Sequence, residues 1–118
     1  MSTIQRIDTQ PTYSEIVVNN NVVYLSGQVP LDTAGGEFKS QVKEVFSLID
    51  FQLQRVGSNK SKILNLQIFL TDPANYGDMN KVFLEWMPEG KAPARNTICG
   101  VRFPNPNWKI EVVVTAAI

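Results

Sequence analysis

Histidine is missing from this chain altogether. Its absence excludes Ser-His-Asp and Cys-His triads and every metal site built on imidazole. Cysteine occurs once, at Cys99. One thiol forms no internal disulfide and leaves a zinc site short of ligands, so no metal is expected and the reducing cytoplasm is the expected compartment. Net charge is missing too, because eleven Lys and Arg balance eleven Asp and Glu. That leaves no electrostatic case for nucleic acid or an anionic membrane as the main partner. No apolar run approaches the roughly 20 residues of a membrane span. The opening MSTIQRIDTQPTY lacks the apolar stretch of a signal peptide. Neither a GxGxxG nor a P-loop pattern occurs, so no nucleotide cofactor is expected. Chemistry is left to carboxylates, Arg, Lys, Tyr, hydroxyls, backbone groups and water.

What is present suits one domain over residues 1–118. Hydrophobic residues make up 43% and charged residues 19% of the chain, values typical of a folded globule. EIVV (15–18) and VVYL (22–25) are β-rich and flank Asn19-Asn20-Asn21. Asn tolerates left-handed backbone angles, so this stretch predicts a hairpin. Val42, Val45, Phe46, Ile49, Leu53 and Val56 recur at three and four residues and predict a helix, with Ser40 as N-cap and Gly57 as its stop. ILNLQIFLT (63–71) predicts a strand with Leu64, Leu66, Ile68 and Leu70 on one face and Ile63 and Phe69 on the other. A second helix is expected to start near residues 72–75, with Met79, Val82, Phe83 and Trp86 as its apolar stripe. Strands follow over 94–103 and 109–117, and a short first strand falls at 3–7. The order is β-β-α-β-α-β-β inside an initial short strand. Two helices cover one face of such a sheet. The other face also carries apolar side chains, which predicts an oligomer closed through it.

Two charged residues interrupt these patterns. Arg95 follows Pro93-Ala94 at the start of a strand. A guanidinium there is either surface decoration paired with an acid or a bidentate ligand for a carboxylate. Glu111 interrupts the apolar strand KIEVVVTAAI, sharing a face with Val113 and Thr115. It either points to solvent or sits desolvated, with a raised pKa suited to moving a proton. Tyr13, ahead of the first long strand, either supplies a hydroxyl to a pocket or only packs. Asn80 is a mediocre helix former inside the second helix and is expected to cap or hydrogen-bond a neighbouring element. Gly27, after Ser26 at the end of the second strand, permits close backbone approach. Cys99 lacks a thiolate-stabilising partner and is expected to be an inert buried thiol.

Taken together, Tyr13-Ser14, VYLSGQVP (23–30), Asn80-Lys81, PARNT (93–97) and KIE (109–111) resemble the reactive-intermediate deaminase family, also called YjgF-like proteins. The likeness runs over nearly the whole chain, and VGSNKSKILNLQIFLTD (56–72) looks most like the compact YoaB-like branch. The resemblance implies an α+β, chorismate-mutase-like fold and a homotrimer with pockets at subunit interfaces. It implies hydrolysis of enamine and imine intermediates, such as 2-aminoacrylate, to 2-keto acids and ammonia. It assigns the substrate carboxylate to Arg95 and the attacking water to Glu111. Tyr13, Ser26, Gly27, Asn80 and Thr97 match pocket-lining positions. Many members carry a cysteine two residues after the arginine, where this chain has Thr97. The partner implied is a small carboxylate-bearing molecule. The rival reading keeps the pocket but not the catalysis, as a trimeric binding module for small keto acids. A ribonuclease or chaperone-like role is a third.

Overall fold

The structure, a computed structural model, describes residues 3–118. Asn20 and Asn21 both adopt positive φ, 52° and 61°, and join β2 (Ser14–Asn19) to β3 (Val22–Leu25). Two consecutive left-handed residues give the twist that a tight hairpin needs. The expected first strand lies slightly later, as β1 (Gln5–Thr9), pairing with β2.

Helix α1 runs over Phe38–Gln54. It begins before Ser40, with Glu37 as N-cap and no side-chain cap bond. The start is fixed instead by burial of Phe38 and by the Gln41 N–H donating to the Glu37 carbonyl. Gly57 ends the helix as expected. At φ 76° its N–H donates to the Gln54 carbonyl, and the Ser58 N–H donates to the Leu53 carbonyl. This bond pair closes a helix through a left-handed residue, for which glycine has no steric cost.

β4 (Ile63–Leu70) corrects one sequence reading. Its register against β6 (Ile110–Ala117) shifts between Ile63 and Asn65. A bulge reverses side-chain parity, so Ile63 enters the core and Leu64 is 50% exposed. A single turn over Pro73–Asn75, with Asp72 Oδ1 accepting the Ala74 N–H, leads into α2 (Tyr76–Trp86). The predicted stripe is on its inner side, and Trp86 stacks on Phe46 at 4.3 Å between ring centres. β5 (Ala94–Cys99) is shorter than predicted and stops before Gly100, at φ 81°. Cys99 is exposed, not buried as expected, because it ends this outermost strand.

The sheet order is β1-β2-β3-β6-β4-β5, with only the β4–β5 pair parallel. Both helices cover the face that carries Ile16, Val23, Leu66, Ile68, Val112 and Val114. Val17, Tyr24, Thr115 and Asn65 lie side by side on the other face, through direct cross-strand pairing. Phe69 and Glu111 form another such pair there. No helix among the described residues is long and apolar enough to cross a membrane.

Two polar side chains of α1 fasten the loops around the sheet. Gln41 is fully buried; its Nε2 donates to the Asn107 carbonyl at 3.0 Å and its Oε1 accepts the Lys109 N–H at 2.8 Å. Glu44 accepts the backbone N–H groups of Asp32 and Thr33 and the Thr33 hydroxyl. Burial opposes ionisation of Glu44, but these three donors outweigh it and hold its pKa below the ordinary value. The 31–36 loop is thereby tied down beside the cleft described next.

Candidate functional site

A cleft of about 440 Å³ opens where β2 begins and β3 ends. Tyr13, Glu15, Ser26, Gly27, Gln28, Gln52 and Glu111 line it, with Leu31 and Leu48 among its apolar walls. Beyond Leu25 the chain continues along β6, and Gln28 exchanges both backbone hydrogen bonds with Val112. That bridge sets Gly27 against Glu111. A Cβ at Gly27 would lie 2.8 Å from the Glu111 Cδ and 2.9 Å from its Oε2. Any side chain at this position would push the Glu111 carboxylate aside. Glu111 itself is half-buried. Desolvation raises its pKa above the ordinary 4.5, and among the described residues no hydrogen-bond donor reaches its carboxylate to counter that effect. Glu111 therefore sits partly buried in the cleft wall and is not turned fully to solvent.

Tyr13, Ser26, Gly27 and Glu111 thus come together. Arg95, Thr97 and Asn80 do not join them. Arg95 pairs with Leu66, and Leu66 pairs in turn with Val114 on the helix-covered face. Glu111 faces the other way, so one chain holds the two residues on opposite sides of its sheet. Arg95 rests against α2, its guanidinium carbon 4.9 Å from the Phe83 ring centre and 5.9 Å from that of Tyr76. Its Nη2 donates to the Tyr76 hydroxyl at 3.2 Å. None of the ion pairs among the described residues includes Arg95. The surface reading required a nearby acid, and none is paired with it. Thr97 follows on the same side, half-buried. Asn80 lies one helical turn after Tyr76, and its Oδ1 is buried without a hydrogen-bond partner among the described residues. The Asn80 amide, then the Arg95 charge, lower the pKa of Tyr76.

Sequence reasoning passed over Glu15, Gln28, Gln52 and Tyr76. Tyr76 carried a usable signal, since it stands four residues before Asn80 on one helix face. Gln28 and Gln52 are buried at 4% and 8% exposure. Their signal was weaker, being polar side chains placed where the neighbouring pattern is apolar. Among the described residues, no group of His, Cys, Asp and Glu is placed to hold a metal ion.

Two helices on one face of a mixed six-stranded sheet, with an open cleft holding a desolvated carboxylate, define a two-layer α+β protein with a small-molecule-sized site. The chain belongs to the family whose model is described as "Endoribonuclease L-PSP", which matches residues 3–118. It is 42% identical over 114 residues to a RutC family protein of Haemophilus influenzae, covering 97% of each chain. It is 38% identical over 116 residues to the RutC family protein YoaB of Escherichia coli, covering 98% of this chain and 99% of the relative. Among solved structures, a member of the YjgF protein family from Neisseria meningitidis superposes with a TM-score of 0.88 at 36% identity, covering 98% of this chain and 94% of that one. An uncharacterized protein from Pseudomonas aeruginosa superposes with a TM-score of 0.91 at 33% identity, covering 98% of both chains. The family resemblance and the YoaB-like branch read from the sequence both hold.

Proposed function

We propose that this chain, as one YjgF-like unit, assembles into a cytoplasmic homotrimer that hydrolyses reactive 2-imino acids to 2-keto acids and ammonia. The observation that carries the reading is the Glu111 carboxylate, desolvated and held against Gly27 in an open cleft. A base with a raised pKa is suited to taking a proton from water near neutral pH. Arg95 of a neighbouring copy supplies the bidentate clamp for the substrate carboxylate, because within one chain it lies on the wrong side of the sheet. Thr97 and Asn80 accompany it, and Tyr13, Ser26 and Gly27 complete the wall around Glu111.

The chemistry needs only these groups. Glu111 takes a proton from water as the water oxygen bonds to C2 of the protonated imine and the C=N π pair moves onto nitrogen. Glu111 passes that proton to the nitrogen of the tetrahedral carbinolamine. It then takes the carbinolamine hydroxyl proton as the C=O bond forms, the C–N bond breaks and ammonia leaves with the bonding pair. Glu111 releases this proton to solvent and the 2-keto acid remains. Free imines already hydrolyse in water, so positioning plus a proton relay through one carboxylate supplies the acceleration.

A coupled assay tests this. An amino-acid oxidase generates the imine, semicarbazide competes for it, and the protein is expected to suppress semicarbazone formation. No suppression across several imino acids, combined with saturable binding of 2-ketobutyrate, would replace the enzyme with a keto-acid binding module. The endoribonuclease named in the family model's description is disfavoured here by zero net charge and by the lack of histidine.

Gly27→Ala is expected to lower kcat/KM by roughly 10²-fold with the fold retained, because the new methyl displaces the Glu111 carboxylate by about an ångström. Wild-type turnover in the folded variant would show that Glu111 acts from elsewhere or not at all.

A further inference from the structure

Glu15 lies at the back of the cleft, and three donors converge on one of its oxygens. The Ser26 hydroxyl reaches Oε1 at 3.2 Å, Gln28 Nε2 at 2.9 Å and Gln52 Nε2 at 3.2 Å. The directions of the two glutamine bonds are fixed by the other contacts of those side chains. Gln28 Nε2 also donates to the Ser26 carbonyl at 2.9 Å, so its amide cannot be reversed without losing two bonds. Gln52 Oε1 accepts from Arg55 Nη1 at 2.8 Å, and Arg55 is held in turn by Asp8 at 2.8 Å. The nitrogen of Gln52 must therefore face Glu15. A serine hydroxyl has one proton and two lone pairs. With its proton directed to Glu15, Ser26 has only lone pairs left to offer the cleft.

We infer that Glu15 is a positioning residue that fixes the Ser26 hydroxyl as a hydrogen-bond acceptor, so that the cleft favours a nitrogen-bearing ligand over its oxygen counterpart. The inference rests on the proposed reading of this site and deepens it. Ser26 Oγ and the Glu111 carboxylate both accept hydrogen bonds. A protonated 2-imino acid presents N–H donors at C2, whereas the 2-keto acid product presents a carbonyl oxygen there. The acceptor lining thus holds the reactant and disfavours the product. Specificity of this kind is strong because a mismatched acceptor leaves buried polar groups unpaired.

The test compares 2-aminobutyrate, which carries N–H donors at C2, with 2-ketobutyrate, which carries an acceptor. Calorimetry gives the ratio of their Kd values for the wild type, Glu15→Ala, Glu15→Gln, Ser26→Ala and the Glu15→Ala/Ser26→Ala double variant. Glu15→Ala removes the acceptor and frees the Ser26 proton to turn into the cleft, and is expected to shift the ratio about tenfold or more toward the keto acid. Glu15→Gln can set its amide oxygen against the same three donors, so it should restore the wild-type ratio. Ser26→Ala should shift the ratio in the same sense as Glu15→Ala, and adding Glu15→Ala to it should change the ratio little. In the coupled assay, Glu15→Ala should raise KM for the imine far more than the inhibition constant of 2-ketobutyrate. An unchanged ratio in Glu15→Ala or Ser26→Ala, or proportional weakening of both ligands, would overturn the inference and leave Glu15 a structural residue. Binding of neither ligand to the wild type would overturn it as well. Failure of the wild type to turn over imines, with the ratio shift intact, would remove the enzymatic reading alone.

Discussion

Glu111→Gln is expected to lower kcat for imine hydrolysis by about 10²–10⁴-fold, the usual worth of a general base, while raising the melting temperature at neutral pH. The two effects have one cause. Burial raises the folded-state pKa of Glu111 above 4.5, so the folded protein carries a penalty whenever this carboxylate is ionised. That penalty is fully present above the raised pKa. It shrinks as pH falls through the raised value, and it is gone below about 4.5, where the group is protonated in both the folded and unfolded chains. Gln cannot ionise, so its stabilising advantage should follow the same course: largest at pH 7–8, fading on acidification, absent at the acid end. Thermal unfolding of both proteins across that range, at fixed protein concentration, checks the sign. The activity of the wild type should rise with pH through the same raised pKa, because only the ionised form takes a proton from water. A Gln variant that is less stable at every pH would mean the carboxylate is satisfied by contacts that burial conceals. A variant with undiminished kcat would remove Glu111 from the reaction.

Much of this site was legible in the sequence because it follows local rules. Parity along KIEVVVTAAI placed Glu111 with Val113 and Thr115, and the structure keeps it there. The Asn pair at 20–21 announced its own turn. Other features depend on partners distant in sequence. Leu64 fits the apolar alternation of its strand, and only the shift of pairing against β6 turns it outward and Ile63 inward. Gln41 occupies an ordinary helical position, and its full burial is explained by Asn107 and Lys109, more than sixty residues away. Glu15 reads as one polar residue in a strand until Gln28 and Gln52 close on it. The separation of Arg95 from Glu111 belongs to the same class. Each has a clear parity within its own strand, but their relation passes through β4, which pairs parallel with one strand and antiparallel with the other.

That separation leads to the sharpest test of how the site is assembled. Arg95→Ala should reduce kcat/KM by about 10²–10³-fold, since a carboxylate clamp of two charge-assisted bonds is lost. Arg95→Lys should recover only part of it, because an ammonium is a point charge and not a planar fork. Each of Arg95→Ala and Glu111→Gln alone should be nearly inactive. Now let the two variants be unfolded together, mixed equally and refolded. If every site takes its arginine from one copy and its glutamate from the next, the Arg95→Ala chain still supplies a glutamate and the Glu111→Gln chain still supplies an arginine. In a randomly mixed closed ring, half of the arginines and half of the glutamates are intact, so about a quarter of wild-type activity should return. If both residues acted within one chain, no site in any mixture would be whole and nothing would return. Sedimentation of the same mixture supplies the control: the proposed trimer predicts a three-chain species, and a monomer would defeat the shared site directly. The open sheet face, with Val17, Tyr24, Leu64 and Phe69 uncovered by either helix, is the surface such a ring would bury.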